Sequence, residues 1–250
     1  MIRAKRTRLS ALMLLASIAG GSAAARQTNP IPEPHPQITE VFFSVPNNST
    51  GDANADGVRH AAGDEFIEIA NPHDRPINLA GYVLHNRRAG FAAESAKGVR
   101  FVFPDVELPP HAIAVVFNGC EARIPPPFGT SDAPPQGTNA RFADALVFSM
   151  ENRAQSNALA NTADWLALVA PDGTLLDVVW WGDPQPPPPA GALRSQNVDA
   201  NAKGSVQRLK PGAELEPHPG INGAPCSPGS IPRRTKPAPP KPATPTIPAR

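Results

Sequence analysis

Short runs in which apolar and polar residues alternate recur along the chain. The segment "EFIEIAN" (65–71) is typical, because an alternation of period two with β-branched residues indicates a half-buried strand. Similar segments predict further strands at 38–45, 77–86, 99–103, 112–118, 145–150, 164–170, 175–181 and 205–209. None of them has a sustained helical period. Short strands separated by clusters of Pro, Gly, Asn and Asp predict an all-β fold in which two sheets pack as a sandwich.

The connections between these strands are of two kinds. Pro171-Asp172-Gly173 lies between two predicted strands, where proline presets the first turn angle and glycine supplies a left-handed residue, so it predicts a tight hairpin. Two other connections, 119–144 and 182–204, are long and rich in proline. Loops of such length in a compact domain are either functional or loosely ordered.

The two ends of the chain differ from its middle. Four basic residues precede an apolar run from Leu9 to Ala19, and small residues follow it, which predicts a signal peptide over residues 1–25. The run is too short to favour a stable membrane span, so we expect an exported chain with no span after cleavage. The expected organisation is a signal peptide (1–25), a Pro-rich lead (26–37), a β-domain (38–229) and a Pro/Lys-rich disordered tail (230–250).

Removal of residues 1–25 changes the charge balance. It takes away four basic side chains and no acidic one, which leaves 19 basic and 22 acidic side chains and a net charge of −3. All acidic residues lie between Glu33 and Glu216, whereas the segment from Cys226 onward contains five basic residues. An acidic body argues against nucleic-acid binding through the folded domain, which would require a basic surface.

The stretch "GDANADG" (51–57) is the candidate metal site. Oxygen-bearing side chains at alternate positions, in Asp52, Asn54 and Asp56, suit a calcium ion, and Gly57 permits the sharp turn that follows. The backbone carbonyl of Val58 would add a ligand. Position twelve of the loop is a glycine, so Asp64 or Glu65 must close the site. The alternative is a solvated acidic turn, because Asp, Asn and Gly are ordinary loop residues.

Two pairs of residues are further candidates. Cys120 and Cys226 are the only cysteines, and in an oxidising compartment we expect a disulfide between them, two separate thiols being the alternative. Trp180 and Trp181 are adjacent on a predicted strand and therefore point to opposite faces. One is expected in the core, and the other is a candidate contact for a sugar or peptide unless the Pro-rich loop covers it.

The run from Asn71 to Tyr82 carries a family resemblance. Asn71-Pro72, Pro76 and then Leu79 and Gly81 resemble a signature of the bacterial lamin tail domain, with Tyr82 where tryptophan is usual. The "SPG" at 227–229 is a weaker match, and the similarity runs from about Ile38 to Gly229. The resemblance implies a bacterial protein with an immunoglobulin-like β-sandwich. It also implies a secreted attachment or ligand module, a kind of domain sometimes joined to nucleases or phosphatases.

No catalytic motif accompanies these features. The sequence contains neither a Gly-x-Ser-x-Gly elbow nor a phosphate-binding loop, and no two histidines have the spacing of a helical zinc pair. We therefore expect no catalytic residues and an exported, non-catalytic binding or structural module of the cell envelope or extracellular space, stabilised by calcium, with an envelope protein or glycan as partner. The alternatives are a calcium-dependent carbohydrate-binding module and a metal-dependent hydrolase.

Overall fold

Thirteen strands, one short α-helix and two 3-10 turns form within residues 34–89, 98–152 and 158–235, the part of the chain that this computed structural model describes. The predicted signal peptide (1–25), residues 26–33 of the lead and residues 236–250 of the tail lie outside the described residues. The elements are β1 (Gln37–Ser44), β2 (Phe66–Ala70), β3 (Ile77–Asn78), β4 (Val83–Asn86), β5 (Arg100–Val102), β6 (Glu107–Leu108), β7 (Ile113–Phe117), β8 (Leu146–Ser149), β9 (Asp164–Val169), β10 (Leu175–Trp181), β11 (Arg194–Val198), β12 (Gly204–Arg208), β13 (Leu215–Pro217) and α1 (Pro219–Asn222).

The strands form two main sheets that pack face to face. One has six strands in the order β13-β12-β1-β2-β7-β8, and the other has five in the order β11-β10-β9-β4-β5. Neighbours are antiparallel except for β7 with β8 and β10 with β11. The two-stranded β3-β6 ribbon forms a third, small sheet. This is the all-β, immunoglobulin-like sandwich that the strand pattern and the family resemblance predict.

Alternate residues of both sheets meet in the main core. Val41 and Phe43 of β1 are fully buried there, as are Leu166 and Leu168 of β9. Phe43 stacks on Trp181 with 4.1 Å between ring centroids. Because each inward residue is separated from the next by an outward one, this packing accounts for the period-two pattern of the sequence.

The outer faces of the two sheets are also covered. Phe42, Phe66 and Phe117 lie on the far side of the six-stranded sheet and pack beneath Ile124 and Phe142 of the 119–144 connection. On the five-stranded sheet, Trp165 and Trp180 belong to a separate apolar cluster that also contains Val178 and Ala192. The long connections therefore act as covers for sheet faces that would otherwise expose aromatic residues.

An ion pair crosses the core between the sheets. Arg208 of β12 donates to both carboxylate oxygens of Asp177 of β10, at 3.3 and 3.2 Å, and both side chains are fully buried. Asp177 also accepts a hydrogen bond from the backbone N–H of Ile38 at 3.2 Å, and Arg208 donates to the Ile38 carbonyl at 2.7 Å. The pair therefore joins three strands of the two sheets.

The structure differs from the sequence prediction in several places, and it also contains the short strands β6 and β13, which were not predicted. The predicted strand 77–86 is broken, because Gly81 has a φ of +78° and forms a turn between β3 and β4. The predicted loop 182–204 contains β11, which lacks apolar alternation and pairs in parallel with β10. Contacts continue past the predicted domain end at residue 229, since the Thr235 amide donates to the Ile221 carbonyl at 3.1 Å and Arg234 pairs with Glu216.

Candidate functional site: the acidic loop and the carboxylates behind it

The acidic loop, residues 51–64, is organised around the Asp64 carboxylate. One oxygen of this side chain accepts hydrogen bonds from the backbone N–H groups of Ala53 and Asn54, at 2.8 and 3.0 Å. The other accepts from the His60 amide at 2.6 Å. Burial is the largest effect on Asp64 and raises its pKa, while the three hydrogen bonds oppose that rise. Asp64 lies just before β2, so it anchors the loop to the sheet.

The predicted ligands Asp52 and Asn54 accept hydrogen bonds from the backbone of the loop itself. The Asp52 Oδ2 atom accepts from the Gly57 amide at 3.0 Å. Asn54 Oδ1 accepts from the Asp56 amide at 3.0 Å, which is an Asx turn. These bonds curl residues 52–57 around their side-chain oxygens.

Asp56 links the acidic loop to the 119–144 connection. Its Oδ1 atom accepts from the Val58 amide at 2.8 Å, and its Oδ2 atom accepts from the Arg123 amide at 2.9 Å. The Val58 side chain is 65% exposed at the tip of the loop. The loop is thus ordered by hydrogen bonds from backbone N–H groups, which is one way of compensating clustered carboxylates.

The structure brings four of the predicted calcium ligands, Asp52, Asn54, Asp56 and Asp64, into this one loop. Asp52 Oδ1 is buried and has no hydrogen-bond partner among the described residues, so an oxygen ligand is available there. Across residues 34–89, 98–152 and 158–235, however, no group of three or more His, Cys, Asp or Glu side chains has the arrangement of a metal site. A calcium ion would therefore depend on Asn54 and backbone carbonyls for further oxygen ligands.

Glu65, the other residue predicted to close the site, binds a different segment through one of its carboxylate oxygens. Its Oε2 atom accepts from the side-chain amide of Asn118 at 2.9 Å and from the backbone amides of Ala158 and Leu159 at 2.7 and 3.2 Å. Consecutive residues point to opposite sides of an extended chain, so Asp64 faces the loop while Glu65 faces a different segment. Burial raises the pKa of Glu65 to about 8.

Two further buried carboxyl groups, which were not predicted from the sequence, lie side by side in the six-stranded sheet. Glu40 of β1 and Glu68 of β2 are cross-strand partners, and both are fully buried. Glu40 accepts hydrogen bonds from Ser205 Oγ and the Ser227 amide, and Glu68 accepts from Thr39 Oγ1 and the Gly229 amide. The sequence signal was present in "ITEV" and "FIEI", where a glutamate stands at one position of an otherwise β-rich strand.

The two cysteines border the same region from different segments. Cys120 is fully buried, and its carbonyl oxygen lies in close contact with Gly63. Cys226 packs against the cluster under the 119–144 connection, and its pKa is raised by burial first and then by Glu40 and Asp64. The structure records both as thiols, and their pairing as a disulfide stays a prediction.

The two tryptophans face opposite sides of β10, as predicted. Trp181 is fully buried against Phe43 in the main core. Trp180 is half-buried on the outer face, next to its cross-strand neighbour Trp165. The Trp165 indole donates to the Pro186 carbonyl at 3.2 Å, so the Pro-rich segment lies against this face. The cover is partial, because Trp180 keeps part of its surface in solvent.

A surface cleft of about 370 Å³ opens where the parallel strands β7 and β8 end. Its lining includes Glu121, Glu151 and Phe128. Glu121 and Glu151 both have positive φ values, of 54° and 48°, and the Phe128 side chain is 39% exposed. No sequence motif indicates this cleft, because its walls come from two loops that meet only in the folded chain.

The Asn71 side chain has a structural role in the turn that follows β2. Its amide donates to the carbonyl oxygens of Arg75, Leu108 and Pro109, at 2.7, 3.1 and 3.0 Å. Its carbonyl oxygen accepts from the His73 amide at 3.0 Å. One buried side chain thereby holds the turn after β2 to the segment that follows β6.

The protein is thus an immunoglobulin-like sandwich in which buried carboxylates hold loops in place by accepting hydrogen bonds. The family model of the Lamin Tail Domain matches residues 30–183, and the chain belongs to this family. The match ends just after β10, so β11, β12, β13 and the segment that binds Glu40 and Glu68 lie beyond it. No curated protein matches the chain. No helix among the described residues is long and apolar enough to span a bilayer.

Proposed function

We propose that the protein is an exported, non-catalytic binding or structural module of the cell envelope or extracellular space. The observation that carries this proposal is the use of the buried carboxylates. Glu65 and Glu68 accept hydrogen bonds from the backbone of distant segments, and Asp64 accepts them from the backbone of its own loop. Carboxylates bound in this way hold loops, whereas a general acid or base must reach a substrate. Membership of a non-enzymatic family agrees with this use.

The face around Trp180 is the proposed contact for a protein or glycan partner. A partly exposed indole offers a stacking surface and a polar N–H group, which suits a sugar ring or a peptide. The chain's own Pro186 segment already packs on the neighbouring Trp165. A partner would extend this arrangement over the part of Trp180 that the loop leaves exposed.

The test is binding of the mature chain, residues 26–250, to isolated envelope polysaccharide and to isolated envelope protein, measured separately. We expect Trp180→Ala to weaken binding to one of the two by tenfold or more. Phe128→Ala is the matched control, because it removes an exposed aromatic side chain from a different surface. Equal binding by the wild type and Trp180→Ala would refute this contact, and turnover of a substrate by the purified chain would refute the non-catalytic assignment.

A calcium-stabilised acidic loop is the second part of the proposal, and the buried, unpartnered Asp52 Oδ1 atom supports it. Asp52, Asn54, Asp56 and Asp64 would hold the ion, which would neutralise an acidic loop and order it against the sheet. Calcium dependence of glycan binding would favour the alternative of a calcium-dependent carbohydrate-binding module.

Thermal unfolding in calcium and in chelator tests the ion directly. At a calcium concentration about a hundred times the Kd, the fold should gain roughly 2.7 kcal/mol, and Asp52→Ala with Asp56→Ala should abolish that gain. The control is Asp132→Ala, an exposed aspartate outside the loop. Identical curves for the wild type in calcium and chelator would leave residues 51–57 as a plain acidic turn.

A further inference from the structure

The buried pair of Glu40 and Glu68 has a structural role that extends beyond β1 and β2. The two side chains stand at paired positions of adjacent strands, so they lie on the same face of the six-stranded sheet. Both are fully buried. Two carboxylates in such positions cannot readily ionise together, because each is desolvated and repels the other.

These two carboxyls hold a short segment that we call the C-terminal strap, residues 226–230 ("CSPGS"). The Ser227 amide donates to Glu40 Oε1 at 3.0 Å, and the Gly229 amide donates to Glu68 Oε2 at 2.9 Å. Ser227 Oγ also lies 3.3 Å from Gln207 Oε1 on β12. The backbone of the strap is therefore attached to the sheet through both glutamates.

The strap excludes water from the carboxyls because it lies directly on the body of the domain. Gly229 has a φ of +87°, and a Cβ atom at this position would collide with the carbonyl oxygen of Phe142. Only glycine fits such a close approach. With the strap in place, neither glutamate is exposed to solvent.

The other groups that face the pair supply no cation at neutral pH. Thr39 of β1 and Ser205 and Gln207 of β12 are neutral. On the strap side, Cys226 is uncharged both as a thiol, whose pKa is raised by burial, and in the predicted disulfide. The His218 ring lies 2.9 Å from Ser227 Oγ, and burial lowers its pKa, which favours its neutral form.

We propose that the C-terminal strap is a pH-operated latch, which is closed while at least one of Glu40 and Glu68 is protonated and opens when both carboxyls are ionised. Opening admits water to the carboxylates and relieves their repulsion. Burial raises the pKa of Glu68 to about 7, and burial with the neighbouring Glu68 raises that of Glu40 well above its ordinary range. The latch therefore responds between neutral and mildly alkaline pH.

The size of the response follows from proton linkage. A carboxyl whose pKa is about 7 in the closed form and 4.5 in water raises the ratio of open to closed strap about fourfold between pH 6.5 and 8.5. The raised pKa of Glu40 adds to this effect in the same direction. Burial lowers the pKa of His218, which favours its neutral form and so opposes a contribution from it in this interval.

Amide hydrogen exchange of the full mature chain, resolved by NMR and corrected for the intrinsic effect of pH, measures the latch. The protection of the Ser227 and Gly229 amides should fall at least about fourfold from pH 6.5 to 8.5. The Leu166 amide of β9, a strand paired on both sides, reports global unfolding and should stay more protected. Equal protection at Leu166 and in the strap, or strap protection that does not change with pH, overturns the proposal.

Two matched variants identify the responsible group. Glu68→Gln mimics the protonated carboxyl and should keep the strap protected at pH 8.5. Glu65→Gln neutralises another buried glutamate with a raised pKa that binds residues 118 and 158–159 and not the strap, so the strap should keep its wild-type pH response. If Glu68→Gln does not fold, Glu40→Gln takes its place. A wild-type response in the Glu68 or Glu40 variant, or loss of the response in Glu65→Gln, contradicts the latch.

Discussion

Most of the acidic residues predicted as metal ligands accept hydrogen bonds from backbone N–H groups and so fix the position of a loop. Asp64 binds three amides of the acidic loop, and Glu65 binds two amides at 158–159. A buried carboxylate with several N–H donors fixes a loop at a defined place without a regular element. The cost is desolvation, which raises the pKa of both groups.

Glu65 makes stability depend on pH. Its pKa is raised from 4.5 to about 8 in the folded chain, so its protonated form favours folding. The stabilising contribution is complete below pH 4.5 and is lost as the pH rises from 4.5 to about 8. We expect Glu65→Gln to be more stable than the wild type at pH 8 by an amount on the order of a few kcal/mol, since one unit of pKa shift corresponds to about 1.4 kcal/mol.

Urea unfolding at pH 5 and pH 8 measures this difference. The exposed Glu107→Gln is the control, and its stability should follow that of the wild type at both values. A Glu65→Gln variant whose free energy of unfolding changes with pH as steeply as that of the wild type would show that another group is responsible.

At the scale of elements, the long connections help to hold the fold together, as the strands do. The 119–144 connection covers one outer sheet face with Ile124 and Phe142, and it docks on the acidic loop through the Arg123 amide. The Pro-rich segment before β11 covers part of the other face through Pro186. Long, proline-rich connections are therefore ordered here, because each has an apolar or hydrogen-bonding partner on a sheet.

The Cys120–Cys226 disulfide would join two such elements, the start of the 119–144 connection and the strap. We expect this bond to form in an oxidising compartment. The Cys120 carbonyl lies close to Gly63, and the adjacent Asp64 contributes to the raised pKa of Cys226, so both cysteines border the same region. Closing a loop of this length could stabilise the fold by about 4–5 kcal/mol in the chain-entropy model. Intact-mass analysis after alkylation, with and without prior reduction, decides between the bond and two thiols, and two alkylated thiols in the unreduced sample would exclude it.

At the scale of the whole molecule, the two sheets are joined by the Asp177–Arg208 pair as well as by apolar packing. Asp177→Asn leaves Arg208 buried without its counter-charge, so we expect a loss of about 3–5 kcal/mol in denaturant unfolding. Glu216→Gln breaks the exposed pair with Arg234 and should cost about 1 kcal/mol or less. Similar losses of unfolding free energy in the two variants would show that the buried pair stabilises the fold no more than the exposed pair does.

The basic, Pro-rich end of the chain is expected to serve attachment and not folding. Residues 236–250 contain few apolar side chains, and Lys236 and Lys241 can hold an anionic envelope polymer weakly. Deleting residues 236–250 should leave the Tm within about a degree and reduce salt-sensitive binding to the envelope. A deletion extended to residue 231 is the contrast, because it also removes the Arg234 and Thr235 contacts. A large fall in Tm for the shorter deletion would contradict this division.

The sequence by itself determined the fold class, most strands, the 171–173 hairpin and the opposed directions of Trp180 and Trp181. All of these follow from local rules: the period of two along a strand and the backbone angles that proline and glycine allow. For the same reason the pattern failed at β11, whose residues Arg194–Val198 have no apolar alternation, and at Gly81, where a strand-like run bends.

Only the tertiary structure decided how the buried carboxylates are used. Adjacent acids in "GDEFIE" look equivalent in the sequence, yet Asp64 faces the acidic loop, Glu65 faces residues 118 and 158–159, and Glu68 meets Glu40 beneath the strap. Their partners are separated by up to 161 positions along the chain. Local composition carries no information about which distant backbone amide will approach a given carboxylate, because that depends on strand order and register, which the assembled sheets fix.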